Sequence, residues 1–375
     1  MLASFSLPLV MADHAACQTE VRAWFSAHGS GLLPKYLGLK QITTRLPSLL
    51  KCFPSSERVA LIDVGAGIHG LEDHWISHAS SLHEDDSDAL WLLGGFKHRA
   101  EVHAFEAYAK KAAELRDAAA TRSFTQNFTA SLHVHTQGVG AVPHTARLKQ
   151  CGRPNEWTID GVGAKGRECR LGSELSVTTI DAFADSLSAP LLYIKVDVEG
   201  GELDIVRGME RVLREKRVPL MSFEYASGWH KHFLLRRPLT EAEKLEAGNS
   251  SLRHFSSQMS TYGYDTYLIN AGGKGTGVVL IPVYGRFWHD DFEVCFHRDK
   301  VYGSYGLWCW NDVLVVLRDS QCVKTVLFGE ILPATKGQGR RGLVWGDSVG
   351  LQKGQSAGAL SKKHSSAAFP ACTSL

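Results

Sequence analysis

Long apolar runs are missing from this chain of 375 residues. Nothing approaches the roughly 18 consecutive apolar residues of a membrane-spanning helix, so no span is expected. A charge excess is missing too. Lysine and arginine total 41 against 39 acidic residues, a formal net charge of +2, which leaves no global electrostatic case for nucleic acid or an anionic membrane as partner. The 8 cysteines are scattered, with no CxxC pair and no zinc-type spacing, which argues against a structural zinc site. Reduced thiols in a cytoplasmic protein are the expectation from that scatter. The N-terminal MLASFSLPLVMADHAAC has a short apolar run and a small-residue cleavage site after Ala12, but no basic n-region. A secretory route therefore has only weak support, and the sequons at Asn127 and Asn249 would matter only on that route. No internal repeat stands out, and no pattern dictates an oligomeric state.

What is present is the composition of an ordinary soluble globular protein, 44% hydrophobic and 21% charged. Apolar strand-like runs alternate with helix-period stretches: Val59–Val64, Glu101–Phe105, Ser131–Thr136, Leu191–Val196, Val218–Phe223, Asp265–Ile269 and Asp312–Leu317. Such alternation predicts an α/β fold, a doubly wound and mostly parallel sheet with helices on both faces. A helix with an alanine face is expected over Tyr108–Ala120, another after Gly201 with apolar Leu203, Ile205, Val206, Met209 and Val212, and a third across Leu239–Tyr262. In the last, Thr240 and Glu243 stand at capping-box spacing. Residues 1–55 read as a helical extension, 56–329 as the main domain, and 330–375, rich in Gly, Ser, Ala and Lys, as a disordered tail. Insertions are expected near 71–98, 146–175 and 284–310; the second would be irregular or a hairpin ending in an edge-like strand, Ser176–Ile180.

Three constellations carry chemistry. The first is Asp63, Gly65, Gly67 and Gly70 in IDVGAGIHG. Glycines directly after a buried strand let backbone approach a bound nucleoside, and the series also satisfies the dinucleotide pattern GxGxxG. A tight strand-to-helix turn alone is the lesser, purely structural reading of them. The second is Glu106 at the end of VHAFE, where a carboxylate suits the two hydroxyls of a ribose or is simply a solvated strand-end acid. The third is Lys195, Asp197 and Glu199, which period two sets on one strand face opposite Ile194, Val196 and Val198. Charges on a central strand must pair or lie at its mouth, so a structural ion network stands beside the functional reading. Glu224, ending the next strand, is a natural further member. His133 and His135 share a strand face, and His230 and His232 follow Glu224. The two-residue spacing can chelate, but no acidic third ligand follows, so no metal is expected; His230 is a candidate substrate contact.

The order IDVGAGIHG, VHAFEAY, QGVGAV, VTTIDAFADSL, YIKVDVEGGELDIVRGMERVL, LMSFEY resembles the FkbM-type S-adenosylmethionine-dependent methyltransferases. The carrying residues are Thr179–Phe183 and Ile194–Gly208, and the resemblance covers about residues 57–320. It implies a class I methyltransferase (Rossmann-like) fold of seven strands with the last antiparallel, S-adenosyl-L-methionine as cofactor, and methyl transfer to a hydroxyl oxygen. It further implies that Asp63, Gly65 and Gly67 line the methionine end of the cofactor, that Glu106 holds its ribose, that Gly138 and Val139 form the adenine-side loop, and that Asp197 and Glu199 stand beside the reacting centre. Two departures stand out. The stretch between Gly70 and Glu101 is longer and more acidic than the family's first helix, and Tyr284–Trp310 is an aromatic addition suited to a substrate lid.

For a hydroxyl acceptor the expected roles are Asp197 as general base or orienting residue, Glu199 holding the acceptor and Lys195 tuning Asp197. The acceptor class is a small molecule or carbohydrate. Two other readings remain: a nicotinamide-dependent oxidoreductase, against which stand the distant Glu106 and the lack of a Tyr-x-x-x-Lys pair, and a catalytically silent methyltransferase-like binding module.

Overall fold

The computed structural model describes residues 32–33, 42–43, 46–54, 58–66, 99–126, 131–150, 157–159, 170–198, 200–226, 229, 240–242, 249–272, 278–288, 292–293 and 310–328. The expected tail at 330–375, the insertion near 71–98, Gly67, Glu199, His230 and the signal-like N-terminus lie outside the described residues.

Two six-residue strands, β2 (Val59–Val64) and β9 (Leu191–Val196), are buried along their whole length. A strand buried on both faces needs apolar residues at nearly every position, any charge among them being paired, and parallel neighbours with helices above and below. That is what surrounds them. Strand β2 pairs in parallel with β3 (Ala100–Phe105) and β9, β3 with β4 (Ser131–His135), and β9 with β10 (Leu220–Ala226). Beyond β10, β13 (Trp310–Leu317) runs antiparallel and is followed by β11 (Tyr264–Gly272). Two more strands, β1 (Leu32–Leu33) and β12 (Val278–Pro282), flank β11 antiparallel. Among the described residues the sheet therefore has nine strands, two more than the resemblance implies, and it is mixed rather than mostly parallel at its β11 side.

Apolar cores cover both faces. On one, α3 (Glu202–Arg207), α4 (Glu210–Arg214) and α5 (Leu252–Thr261) bury Ile205, Val206, Val212, Leu213, Phe255 and Met259 against Ile62, Ile194, Val196 and Phe223. On the other, the 3-10 helix Leu46–Cys52, α1 (Ala109–Gln126) and α6 (Gln321–Val326) bring Leu46, Leu49, Leu115, Val323 and Val326 onto Leu61, Val102 and Leu314. No helix among the described residues is long and apolar enough to cross a membrane.

Four expectations are corrected. The single helix after Gly201 is two short ones, broken at Gly208–Met209, where a Cβ on Gly208 would lie 2.0 Å from the Gly140 carbonyl oxygen. The backbones meet there, and the last glycine of the IKVDVEGGELDIVRG stretch permits it. The stretch expected as one helix over Leu239–Tyr262 is interrupted at Ser250–Ser251: Glu241 and Ala242 are helical directly after Thr240, and α5 starts afresh with Ser251 as N-cap, its side chain accepting from the His254 N–H; Glu243 lies outside the described residues. The described residues of the insertion near 146–175, for which the sequence leaves irregular structure and a hairpin both open, lie in a second, four-stranded sheet of β5 (Gly138–Val139), β8 (Arg170–Thr178), β6 (His144–Gln150) and β7 (Trp157–Ile159), in which β6 and β8 pair antiparallel. Ile180, read as strand, instead opens α2 (Ile180–Ala184). Finally, Cys52 and Cys322 form a disulfide, with Cα atoms 5.6 Å apart across a sequence separation of 270, so the expectation of reduced thiols fails for this pair. Packing of the 3-10 helix on α6 brings the two cysteines together.

Candidate functional site at the carboxyl edge of the sheet

Ligands in open α/β sheets bind outside the carboxyl ends of the strands, and there the backbone ladder continues one residue past each central strand. The Gly65 N–H donates to the Phe105 carbonyl (2.9 Å), the Glu106 N–H to the His135 carbonyl (3.0 Å), and the Asp197 N–H to the Val64 carbonyl (2.9 Å). Gly65, Glu106 and Asp197 are thus set side by side. Gly65 has φ +84, and a Cβ on it would sit 1.7 Å from the Asp197 carbonyl oxygen. The turn after β2 and the loop after β9 are therefore in direct backbone contact, which only glycine allows.

The charges group on the sheet face opposite Ile194 and Val196. Asp63 and Lys195 are register neighbours, and both are buried. The Lys195 ammonium donates to Asp197 Oδ2 at 3.1 Å and lies 3.8 Å from Asp63 Oδ1. One cation thus bridges the ends of β2 and β9, which meets the requirement that buried charges be paired. Glu224 is buried within β10, just past that strand's last register pair with β9, Phe223 with Val196, and beside Asp312 of β13 in register. Its carbonyl accepts from the Trp229 indole N–H at 2.7 Å. Trp229 is the described residue of the GWHKH stretch.

Glu106 is also buried, with Oε1 accepting from the Tyr108 N–H at 2.7 Å. Burial raises its pKa, against the opposing pull of the Tyr108 amide and Lys111. Beside it, on the other sheet face, His103, His133 and His135 form a ring cluster closed by Phe183 and Phe105. His103 Nδ1 and His135 Nε2 are 3.3 Å apart. Burial and the neighbouring imidazoles hold His103 down at about 4. No group of three or more His, Cys, Asp or Glu among the described residues is arranged to hold a metal.

A depressed folded-state pKa means that His103 contributes stability in full above its ordinary 6.5, lost as pH falls toward 4. His135 is lowered as well and acts in the same direction; Glu106 and Glu202, both raised, act in the opposite one. The His103 contribution is isolated by comparison with His103→Phe. Wild type should lose about 2 kcal/mol more than the variant between about pH 7 and pH 5, read from urea midpoints. Equal pH slopes would contradict the buried neutral imidazole.

The structure brings together Asp63, Gly65, Glu106, Lys195, Asp197 and Glu224. It sets Gly138 and Val139 in the second sheet, paired with Val177 and Thr178, one step past the end of β4. The aromatic segment from Tyr284 is, in its described part, core rather than lid: Phe287, Trp288 and Phe292 are buried, and Glu293 accepts from the Leu252 and Arg253 N–H groups and the Tyr225 hydroxyl.

Several residues escaped the sequence reading. In the TIDAF stretch, Thr179 caps α2, while Asp181 accepts from the Arg211 and Val212 N–H groups at 2.9 and 2.8 Å and so caps α4. Both are scaffold residues that hold α2 against α4. Glu202 is completely buried, although an acid in a helix first turn ordinarily reads as solvent-facing.

Fold and site together define an α/β protein with glycine, carboxylate and ammonium groups converging on the carboxyl edge of parallel strands. Residues 83–254 match the methyltransferase FkbM domain, so the family resembled by the motifs is the one shown over that segment. The match begins after β2 and ends within α5. It supports a methyltransferase. No curated protein matches the chain. Similar solved structures include the cofactor-bound protein Rv0187 from MTB, at 11% identity over 82% of this chain and 90% of that chain with a TM-score of 0.34. Protein LPL1258 from Legionella pneumophila is similar at 10% identity over 74% of this chain and 84% of that chain, with a TM-score of 0.36. At such TM-scores neither likeness bears on fold or function.

Proposed function

We propose that this chain is an S-adenosylmethionine-dependent methyltransferase acting on a hydroxyl of a small molecule or carbohydrate. The observation that carries the reading is the alignment of Gly65, Glu106 and Asp197 at the ends of β2, β3 and β9, in a chain with the FkbM domain match. The strand order β4-β3-β2-β9-β10-β13-β11, with β13 antiparallel within it, supports a class I methyltransferase arrangement extended at one edge by β1 and β12. The donor set fits the cofactor. Glu106, oriented by the Tyr108 amide, suits a ribose diol, and the Gly65 turn beside Asp63 suits the amino-acid end.

Bound S-adenosylmethionine would supply an electrophilic methyl group. The protein's own work is alignment and exclusion of water. Asp197 stands 29% exposed with Lys195 on Oδ2, so it reaches the site mouth with a cation beside it. It accepts the acceptor's hydroxyl proton or orients that hydroxyl. Lys195 ties Asp197 to Asp63 and so links the acceptor wall to the cofactor wall. Glu224 and Trp229, the residue before His230 in sequence, bound the acceptor side, and Glu199 follows Asp197 by two positions in sequence.

Asp197→Asn keeps the shape and an acceptor oxygen for Lys195 but removes the base. Turnover should fall about a hundredfold or more, with S-adenosylmethionine affinity within about threefold of wild type. The measurement is single-turnover transfer of labelled methyl to an acceptor recovered from cell extract by its mass gain of one methyl. Unchanged turnover would remove Asp197 from the mechanism.

A further inference from the structure

Glu202 opens α3, yet its side chain does not act as an ordinary helix cap. A cap bonds the free amides of the helix's own first turn. Glu202 Oε1 instead reaches back to the loop, accepting from the Val198 N–H at 3.0 Å and the Gly200 N–H at 3.1 Å. The N-cap position is Gly201, which offers no side-chain cap, and Gly200 turns the chain with φ 108. Glu202 is completely buried, and its Oε2 has no hydrogen-bond partner among the described residues. Burying a carboxyl in this way is costly. Burial pushes its pKa up to about 7, and the nearby Asp197 charge adds to that, against the pull of the backbone amides. A fold that only needed a helix start would be served by serine or aspartate at the N-cap.

What the carboxyl secures is the path of Asp197–Gly201. That path has a mechanical consequence, because the Asp197 carbonyl occupies the space beside Gly65 and the Asp197 amide bonds Val64. Displacing the loop displaces both the Asp197 carboxylate and the turn after β2. We propose that Glu202 is a positioning residue that couples the loop after β9 to the cofactor turn at Gly65, so that removing its acceptor oxygen weakens cofactor binding although Glu202 does not touch the cofactor. The proposal rests on the methyltransferase reading.

The test uses the full chain, with S-adenosylmethionine and S-adenosylhomocysteine titrated calorimetrically below the melting temperature of each variant. Glu202→Ala should bind both about tenfold more weakly, within the usual range for coupling between neighbouring sites. Glu202→Gln, which retains a carbonyl for the two amides, should recover most of that loss. Hydrogen exchange at the Val198 and Gly200 amides should accelerate in Glu202→Ala and slow again in Glu202→Gln. If Glu202→Ala does not fold, Glu202→Met fills the volume without an acceptor and should weaken binding like alanine. Asp204→Asn on the same helix should leave affinity unchanged.

A folded alanine or methionine variant with wild-type affinity would overturn the proposal, even if it melted earlier, because a merely structural role predicts that pattern. Failure of wild type itself to bind S-adenosylmethionine would sink the methyltransferase reading. The amide exchange would then still report whether Glu202 holds the loop.

Discussion

Gly65→Ala should abolish cofactor binding and destabilise the protein by at least about 3 kcal/mol. Two independent effects add. The backbone sits at φ +84, a region in which an L side chain costs on the order of 1–2 kcal/mol. The new methyl would also stand 1.7 Å from the Asp197 carbonyl oxygen and 2.8 Å from its carbon, an overlap with backbone that no rotamer change relieves. The strand ends must separate, which breaks the Asp197 N–H bond to Val64 and moves the Lys195 bridge. Urea unfolding and a cofactor titration on the folded fraction measure the two effects separately. A variant with wild-type midpoint and affinity would mean that the two walls are not in contact.

Reducing the Cys52–Cys322 disulfide should produce a loss of comparable size in global stability. The bridge closes a loop spanning a separation of 270 residues, for which the chain-entropy argument gives about 5 kcal/mol as an upper figure. About 3 kcal/mol is the working expectation, because engineered and natural bridges often deliver less than that argument predicts. Cys322 is exposed and Cys52 half-buried, so reductant has access without prior unfolding. The bridge ties the segment that enters β2 to the helix that leaves β13, and the last residues of β13 pair with the start of β10, so the bridge lies toward the amino edge of the sheet, opposite Gly65 and Asp197. Its loss should lower the urea midpoint while leaving cofactor affinity of the folded protein within about twofold. Cys52→Ser with Cys322→Ser should reproduce the reduced state. Peptide mapping that finds both thiols free, or a midpoint insensitive to reductant, would contradict the clasp.

The sheet was legible because β2 and β9 are apolar runs broken only by Asp63 and Lys195 near their carboxyl ends, and no helix-period reading fits them. The alternation Lys195-Val196-Asp197 announced which face carries the charge, and the register Asp63 to Lys195 then gave that lysine its second partner. What escaped depends on contacts between distant segments. Nothing near Cys52 points to Cys322. His133 and His135 could be seen to share a face, but adding His103 requires the β3–β4 register. The helix break at Gly208 follows from the Gly140 carbonyl against it, a contact no local propensity contains. The exposed, charge-bearing strands β6 and β8 leave irregular structure and a hairpin both open because neither face is fully buried, so the period-two signal is weak. Glu202 was hidden by its own position, since acids in a first helical turn are common for dipole reasons alone.

The central claim is that S-adenosylmethionine binds at the carboxyl edge against Gly65 and Glu106. Calorimetric titration of the wild-type chain with S-adenosylmethionine, alongside reduced nicotinamide dinucleotide under the same conditions, tests it most directly. The account predicts saturable binding of one equivalent of S-adenosylmethionine and no binding of the nicotinamide. Absence of S-adenosylmethionine binding by folded protein, or saturable binding of the nicotinamide in its stead, would contradict it.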